Sequence, residues 1–386
     1  MNRKSIHILV YVTILCYSIA LCSCGNAEKE VTATEHYDLI DLKNGSIQDV
    51  FTSVECTPLR FEQETYPSSI RKYDVSDSLI VVVDRKEIIH VFDHQGHYVS
   101  CSKVKCGNGP GEYNVLMDGF IGKNGNDIVV ISPFKLIKYD KKFNVKMDAT
   151  LPIKIGKSAE LYDYGYEYED NRYLLLPQPY SENPFRVDFY DAEKGKVLKS
   201  STYFSDVTVF GGMQNNCFMM SDSSLLLCSP AYTDAIYKIE DNKVGPYISF
   251  TFDDKIISQG DLKQISTDGD ELFDYLAKSQ EDFPAIRLIN STVALNTIRR
   301  GLNLKDVYTI VSNRKTGKSF KIKLHNGTNY TFPYIQFMDE GNAYAIWAKR
   351  LILSNPELLM GLKGAEDRLK DIDEEDYVLL KYKFIK

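Results

Sequence analysis

The hydrophobic positions of this chain fall into short runs closed by polar turns, not into the three-and-four spacing of helices. One unit recurs. Ile88-Ile89-His90-Val91-Phe92-Asp93-His94-Gln95-Gly96 is a β run that closes on a turn. Leu136 to Phe143, Arg186 to Gly195, Ala235 to Asn242 and Val307 to Gly317 repeat it: an apolar or aromatic residue, then Asp, Glu or Ser, then a polar turn. This is the pattern of a hairpin between the two outer strands of a small sheet. Aligned on Phe92, Tyr139, Tyr190, Ile239 and Val311, the copies stand 47, 51, 49 and 72 residues apart. The first three spacings match the ~40–50 residues of a propeller blade.

The long fourth step contains Asp268 to Phe283, where Asp268 and Glu271 form a capping box. Leu272, Leu276 and Phe283 share a helical face and Pro284 ends the run, so the pattern predicts a helix inserted in the fifth unit. Upstream of each hairpin lies a second apolar run: Leu79 to Val83, Ile128 to Ile131, Tyr173 to Leu176, Leu225 to Cys228 and Val293 to Ile298. Their continuous apolar character suits strands covered on both faces, and they are read as the inner strands. A sixth unit begins near Phe332, with helix signals at Ser354-Asn355-Pro356-Glu357 and Ala365 to Lys370, and ends in the strand Tyr377 to Ile385. Val54 to Phe61 has no partner in its own unit. A circular array must close, so this segment is expected beside the C-terminal strand, with the two termini near each other. The predicted fold is an all-β six-bladed β-propeller with helical insertions in the last two blades.

The first residues stand apart from that body. Arg3 and Lys4 precede an apolar run from Ile6 to Leu21, and Leu21-Cys22-Ser23-Cys24 closes it, the layout of a signal peptide. Residues 1–23 are read as the signal peptide, 24–36 as a flexible tether and 37–386 as the propeller. Ser23 before Cys24 resembles the bacterial lipoprotein signal, in which cleavage leaves the cysteine to be lipidated; a plain secretory peptide is the alternative. Cleavage removes Arg3 and Lys4, leaving 44 basic against 53 acidic residues, a formal charge of −9. Such a body lacks the basic field that phosphate backbones require, so nucleic acid is not an expected partner. The 26 tyrosines and 19 phenylalanines favour half-buried sheet surfaces.

The loop Cys106-Gly107-Asn108-Gly109-Pro110-Gly111-Glu112-Tyr113 joins the first two units. Its glycines could form an anion nest, but no Gly-Lys-Ser/Thr follows and Gly-x-Gly-x-x-Gly is absent. It reads as a tight crossing between blades, with Glu112 accepting from backbone N–H groups and Tyr113 packed between the blades. The run from Gly107 to Tyr113 resembles the Gly-x-Gly-Pro-Gly-Glu-Tyr signature of the six-bladed β-propeller lipoproteins of Bacteroidota. Val54-Glu55-Cys56-Thr57-Pro58-Leu59 is similar to that family's early strand. The resemblance implies a propeller, export and a lipid anchor, and no particular reaction.

Several side-chain groups bear on chemistry. A four-residue turn at Ser221 to Ser224 places Cys217 opposite Cys228, a possible disulfide in an exported protein. His90, His94 and His97 sit in and beside one hairpin, which is not how a ligand set converges, so no metal is expected. Tyr162, Tyr164, Tyr166 and Tyr168 alternate along one strand and would share a face, as packing between blades or as a sugar platform. Arg85, Arg172, Arg299 and Arg300 lie beside the presumed inner strands and are the candidate ligand contacts, suited to a carboxylate if they converge. No catalytic residue, nucleophile elbow or cofactor motif is found. The leading expectation is a non-catalytic binding or scaffold module, tethered to the cell envelope at the outer membrane, that holds a glycan, a peptide or an envelope protein. The alternatives are a lyase or hydrolase using the axial channel, and a structural subunit of an envelope complex.

Overall fold

Most strands pair with their neighbours in sequence, and six sheets of four or five strands result among the described residues. In this computed structural model, residues 33–385 are described apart from 63–64, 68, 154–160, 179–184, 204–215, 230–232, 254–255, 258–274, 276–277, 279–281, 301–302 and 364. The expected signal peptide with Cys24 and most of the helix expected from Asp268 lie outside these residues. Of that helix, Tyr275 and Lys278 are helical, whereas Phe283 is in a strand that begins at Asp282.

Blade 1 holds Ile70–Val75, Leu79–Asp84, Ile89–Asp93 and Tyr98–Cys101, each antiparallel to the next. Blade 2 runs Asp118–Ile121, Asp127–Ser132, Lys135–Asp140, Val145–Thr150, and blade 3 Tyr162–Glu169, Arg172–Pro177, Arg186–Asp191, Lys196–Thr202. Blade 4 is built from Phe218–Ser221, Ser224–Leu227, Ala235–Glu240 and Lys243–Phe252, and blade 5 from Asp282–Ile289, Val293–Arg300, Asn303–Asn313 and Ser319–Lys323. Blade 6 takes Phe337–Met338, Asn342–Ala348 and Tyr377–Phe384 from the end of the chain. Its outer strand is Phe51–Pro58, antiparallel to Tyr377–Phe384 with Cys56 opposite Leu380. Closure by an N-terminal strand is therefore as the unpaired run implied. Short helices Lys349–Leu353 and Ala365–Leu369, with a 3-10 turn Pro356–Leu359 between them, interrupt this last blade.

The apolar runs are the second strand of each blade, not the innermost. Leu79–Asp84 and Asp127–Ser132 are buried at every position. A second strand is flanked in its own sheet and stacked upon by both neighbouring blades, so it has no polar side. The innermost strands of blades 2, 4 and 6 are short, Asp118–Ile121, Phe218–Ser221 and Phe337–Met338, whereas those of blades 3 and 5, Tyr162–Glu169 and Asp282–Ile289, each run eight residues.

The start of the chain also differs from expectation. Glu35–Leu39 is already a strand, parallel to Lys243–Phe252 and the fifth strand of blade 4. The chain then crosses blade 5, where Lys321 N–H donates to Lys43 O and Gly45 N–H to Lys321 O, both at 2.9 Å, before it joins blade 6. The N-terminal segment thus straps three blades together, and the fold begins at blade 4 rather than beside the C-terminal strand.

Candidate functional site

The innermost strands leave a cavity of about 460 Å³ on the axis, lined from blades 1, 2, 3, 4 and 6. Turns between first and second strands, among them Ser76, Asp77 and Asp339-Glu340, stand at its mouth. Its wall is aromatic and methionine-rich: Phe120, Tyr166, Phe218, Met220, Phe337 and Met338 all contribute. Met220 is 44% exposed. Methionine beside aromatic rings makes a surface that adapts to varied apolar shapes.

Five carboxylates line the same cavity, Asp74, Asp77, Asp118, Asp339 and Glu340, against the two lysines Lys72 and Lys123. Most of these charged groups hold blades together. Asp74 of blade 1 accepts from Ile121 N–H of blade 2 at 2.8 Å and from Val75 N–H at 2.9 Å. Asp118 of blade 2 accepts from Gly165 N–H of blade 3 at 3.1 Å and meets the buried Lys72 ammonium of blade 1 at 2.5 Å. Glu340 of blade 6 accepts from Asp222 N–H of blade 4 (2.9 Å) and Ser291 N–H of blade 5 (3.1 Å). Asp339 is absorbed by its own turn, through the N–H groups of Gly341 and Asn342 and the Tyr344 hydroxyl. A buried amide left without an acceptor is costly, so these carboxylates are required by the architecture. Burial raises the Asp74 carboxyl above the usual range, against the amides and Lys72; burial likewise raises Asp163.

The glycine loop lies away from this cavity. Glu112 accepts from Gly109 N–H at 2.9 Å, Asp148 accepts from Gly111 N–H at 2.7 Å, and Lys135 donates to Gly109 O at 2.9 Å. Tyr113 is buried, donating to Glu87 O at 3.0 Å and meeting Ser102 Oγ at 2.5 Å. Gly111 has φ +63, and a Cβ there would lie 2.3 Å from Val145. Pro110 follows Gly109 within the same turn. The chain's own carboxylates thus take the amides at Gly109 and Gly111, which is the crossing role and not an open anion nest.

Residues 38–376 match the family described as Domain of unknown function (DUF4934). The chain belongs to this family. A candidate exported protein from Bacteroides fragilis NCTC 9343 resembles the DUF4934 chain in structure with a TM-score of 0.68 at 15% identity, over 91% of this chain and 99% of that one. U3-55K gives a TM-score of 0.44 at 9% identity, over 84% and 98% of the two chains. The WD40 domain of SCAP from fission yeast gives 0.38 at 11%, over 77% and 58%. No curated protein matches.

The four arginines of this DUF4934 chain are not brought together. Arg172 opens a second strand, on the mouth face, and pairs with Glu169 at 2.6 Å. Arg85, Arg299 and Arg300 follow or end second strands, which places them at the opposite face. Arg85 is exposed and Arg299 buried. Arg300 pairs with Asp282 at 2.9 Å in a groove of about 990 Å³ beside blade 5. His90 is buried, while His94 and His97 are exposed at the turn, His97 against Asp93 at 3.0 Å.

Cys217 and Cys228 are opposed, with Cys228 N–H donating to Cys217 O at 2.8 Å, yet both are free thiols. Cys217 packs with Phe218 and Leu227 between blades 3 and 4, and Cys228 with Met219 and Leu226 on the other side of blade 4. Neighbouring backbones with diverging side chains cannot be bridged. The tyrosine row is split as well. A bulge between Tyr162 and Tyr164 puts Tyr162 into the core shared with blade 2, where it donates to Asp188 at 2.8 Å. Tyr164, Tyr166 and Tyr168 face blade 4, with Tyr166 5.8 Å from the Phe218 ring. The axial wall was missed by reading the apolar runs as innermost. The available signal was an acidic residue in the segment before some of the runs, as at Asp74 and Asp118.

Proposed function

We propose that this propeller is an exported, lipid-anchored binding or scaffold module of the cell envelope, non-catalytic, with its ligand seated at the axial cavity. The observation that carries this reading is the division of labour at the axis. The carboxylates Asp74, Asp118, Asp339 and Glu340 serve blade contacts and turns, and an adaptable apolar wall stands beside them. Export is supported by the apolar leader before Cys24 and by the likeness to a candidate exported protein. The chain enters the fold from the mouth face. Thr34 N–H donates to Tyr247 O at 2.9 Å, and Glu35 binds Arg314, which also holds Asn290 O and Ser221 Oγ beside the mouth turns. An anchor at Cys24 would keep that face within roughly 35 Å of the bilayer, the reach of a ten-residue extended tether.

The enzyme reading rests on Asp74, whose carboxyl is raised by burial in the cavity wall, as a general acid would need. A thermal-shift screen of the full chain in detergent against glycans, peptides and divalent metals separates the two. Binding predicts a raised midpoint with a glycan or peptide pool. A midpoint raised by a metal and lost on chelation would overturn the non-catalytic reading, and no shift with any pool would overturn binding. For the anchor, Cys24→Ala is expected to leave the membrane fraction; unchanged membrane association would refute lipidation.

A further inference from the structure

The axial cavity combines two features that narrow the class of its ligand, given that it binds one. The wall is apolar, with Met220 and Met338 beside Phe218 and Phe337. The charge around it is unbalanced, five carboxylates to two lysines, and one of those lysines is neutralised by Asp118. The second, Lys123, donates to Tyr168 O at 2.7 Å. At the mouth, Asp77 is exposed, and Asp222, also exposed, lies 3.7 Å from the Arg314 guanidinium. Burial raises the Asp74 carboxyl, so the imbalance lies with the other four carboxylates, of which Asp118, Asp339 and Glu340 spend much of their accepting capacity on backbone N–H groups. What such a site offers an incoming molecule is therefore negative potential and apolar contact, with few free hydrogen-bonding groups. A sugar ring needs the reverse: many convergent donors and acceptors around each hydroxyl.

We infer that the axial cavity takes an extended peptide segment carrying an apolar side chain next to lysine or arginine. The apolar side chain enters the methionine and phenylalanine wall, and the cation remains at the mouth near Asp77. This places the cation in water-exposed surroundings, where attraction steers association without the cost of burying a charge.

The inference rests on the binding reading, and one experiment distinguishes their failures. The full chain in detergent is titrated by fluorescence anisotropy with three dansylated peptides alternating Phe with Lys, with Glu or with Ser, and cellohexaose is the competitor. The Phe-Lys peptide is expected to bind tightest, and to weaken as salt is raised. Met220→Arg and Asp77→Lys each change an exposed side chain and should leave the fold intact, which the unfolding midpoint checks. Each is expected to weaken the Phe-Lys peptide by roughly tenfold, equivalent to about 1.4 kcal/mol. Equal binding of the Phe-Glu peptide, or unchanged affinity in both variants, overturns the inference. An unfolding midpoint raised by cellohexaose, with none of the three peptides bound, would overturn it while leaving the binding reading intact; no peptide binding and no shift with cellohexaose sinks both.

Discussion

The carboxylate of Glu112 stands where a side chain on Gly107 would have to go. A Cβ at Gly107 would lie 2.2 Å from Glu112 Oε2, and that same carboxylate accepts the Gly109 N–H at 2.9 Å. Glycine at 107 and glutamate at 112 are therefore one device. Gly107→Ala is expected to push Glu112 out and leave the Gly109 amide without its acceptor, a loss of about 1–3 kcal/mol. Glu112→Ala alone should cost a similar amount. Because the first change already displaces Glu112, the double variant should cost clearly less than the sum. Urea unfolding of the four proteins measures this, and additive costs would refute the coupling.

That loop was legible in the sequence because a steric demand leaves glycine behind. The blades were legible for a similar reason: a second strand covered on both faces has to be apolar along its length, and an outer hairpin has to end in turn residues. The axis was not. Its strands are as short as Phe337–Met338 and Phe218–Ser221, too brief for a period to show, and their polar residues answer the amides of the next blade. Nor does any local pattern pair Glu35 with Ile248 in a parallel register. The single extra residue at the Tyr162/Tyr164 bulge, which moves one ring to the other core, was equally silent, since alternation alone assumes a regular strand.

The N-terminal strap hangs on Arg314. This nearly buried guanidinium donates to both oxygens of Glu35, at 3.1 and 2.5 Å, to Ser221 Oγ at 2.7 Å and to Asn290 O at 2.7 Å. Burial alone would raise the Glu35 carboxyl, but the hydrogen bond and charge of Arg314 outweigh it and hold the group below its ordinary value. Arg314→Met removes the cation and leaves Glu35, Ser221 and Asn290 O without it, so a loss of about 2 kcal/mol is expected. The loss should appear first at the strap. Amide exchange at Glu35–Leu39 is expected to accelerate well before the second strand of blade 4 responds. Uniform exchange across both segments would show that the strap is not a separate unit.

His90 sets a pH limit on blade 1. The ring is fully buried in the strand Ile89–Asp93, edge-on to Phe61 at 5.3 Å between centroids, and neither nitrogen has a hydrogen-bond partner among the described residues. Burial lowers its pKa from the ordinary 6.5, against the pull of Asp84 at 3.6 Å. In the unfolded chain the same ring takes up a proton near that ordinary value. Between the two, the unfolded state binds more protons than the folded one, so stability rises with pH there. The contribution is complete above pH 6.5 and is lost as pH falls through the depressed folded value. His90→Leu removes the titrating group and keeps an apolar filling. Unfolding midpoints in urea at about pH 7.5 and about pH 5 should therefore fall further for the parent chain than for His90→Leu. Equal falls would mean that the ring titrates alike in both states, and that its burial exerts no control over its proton.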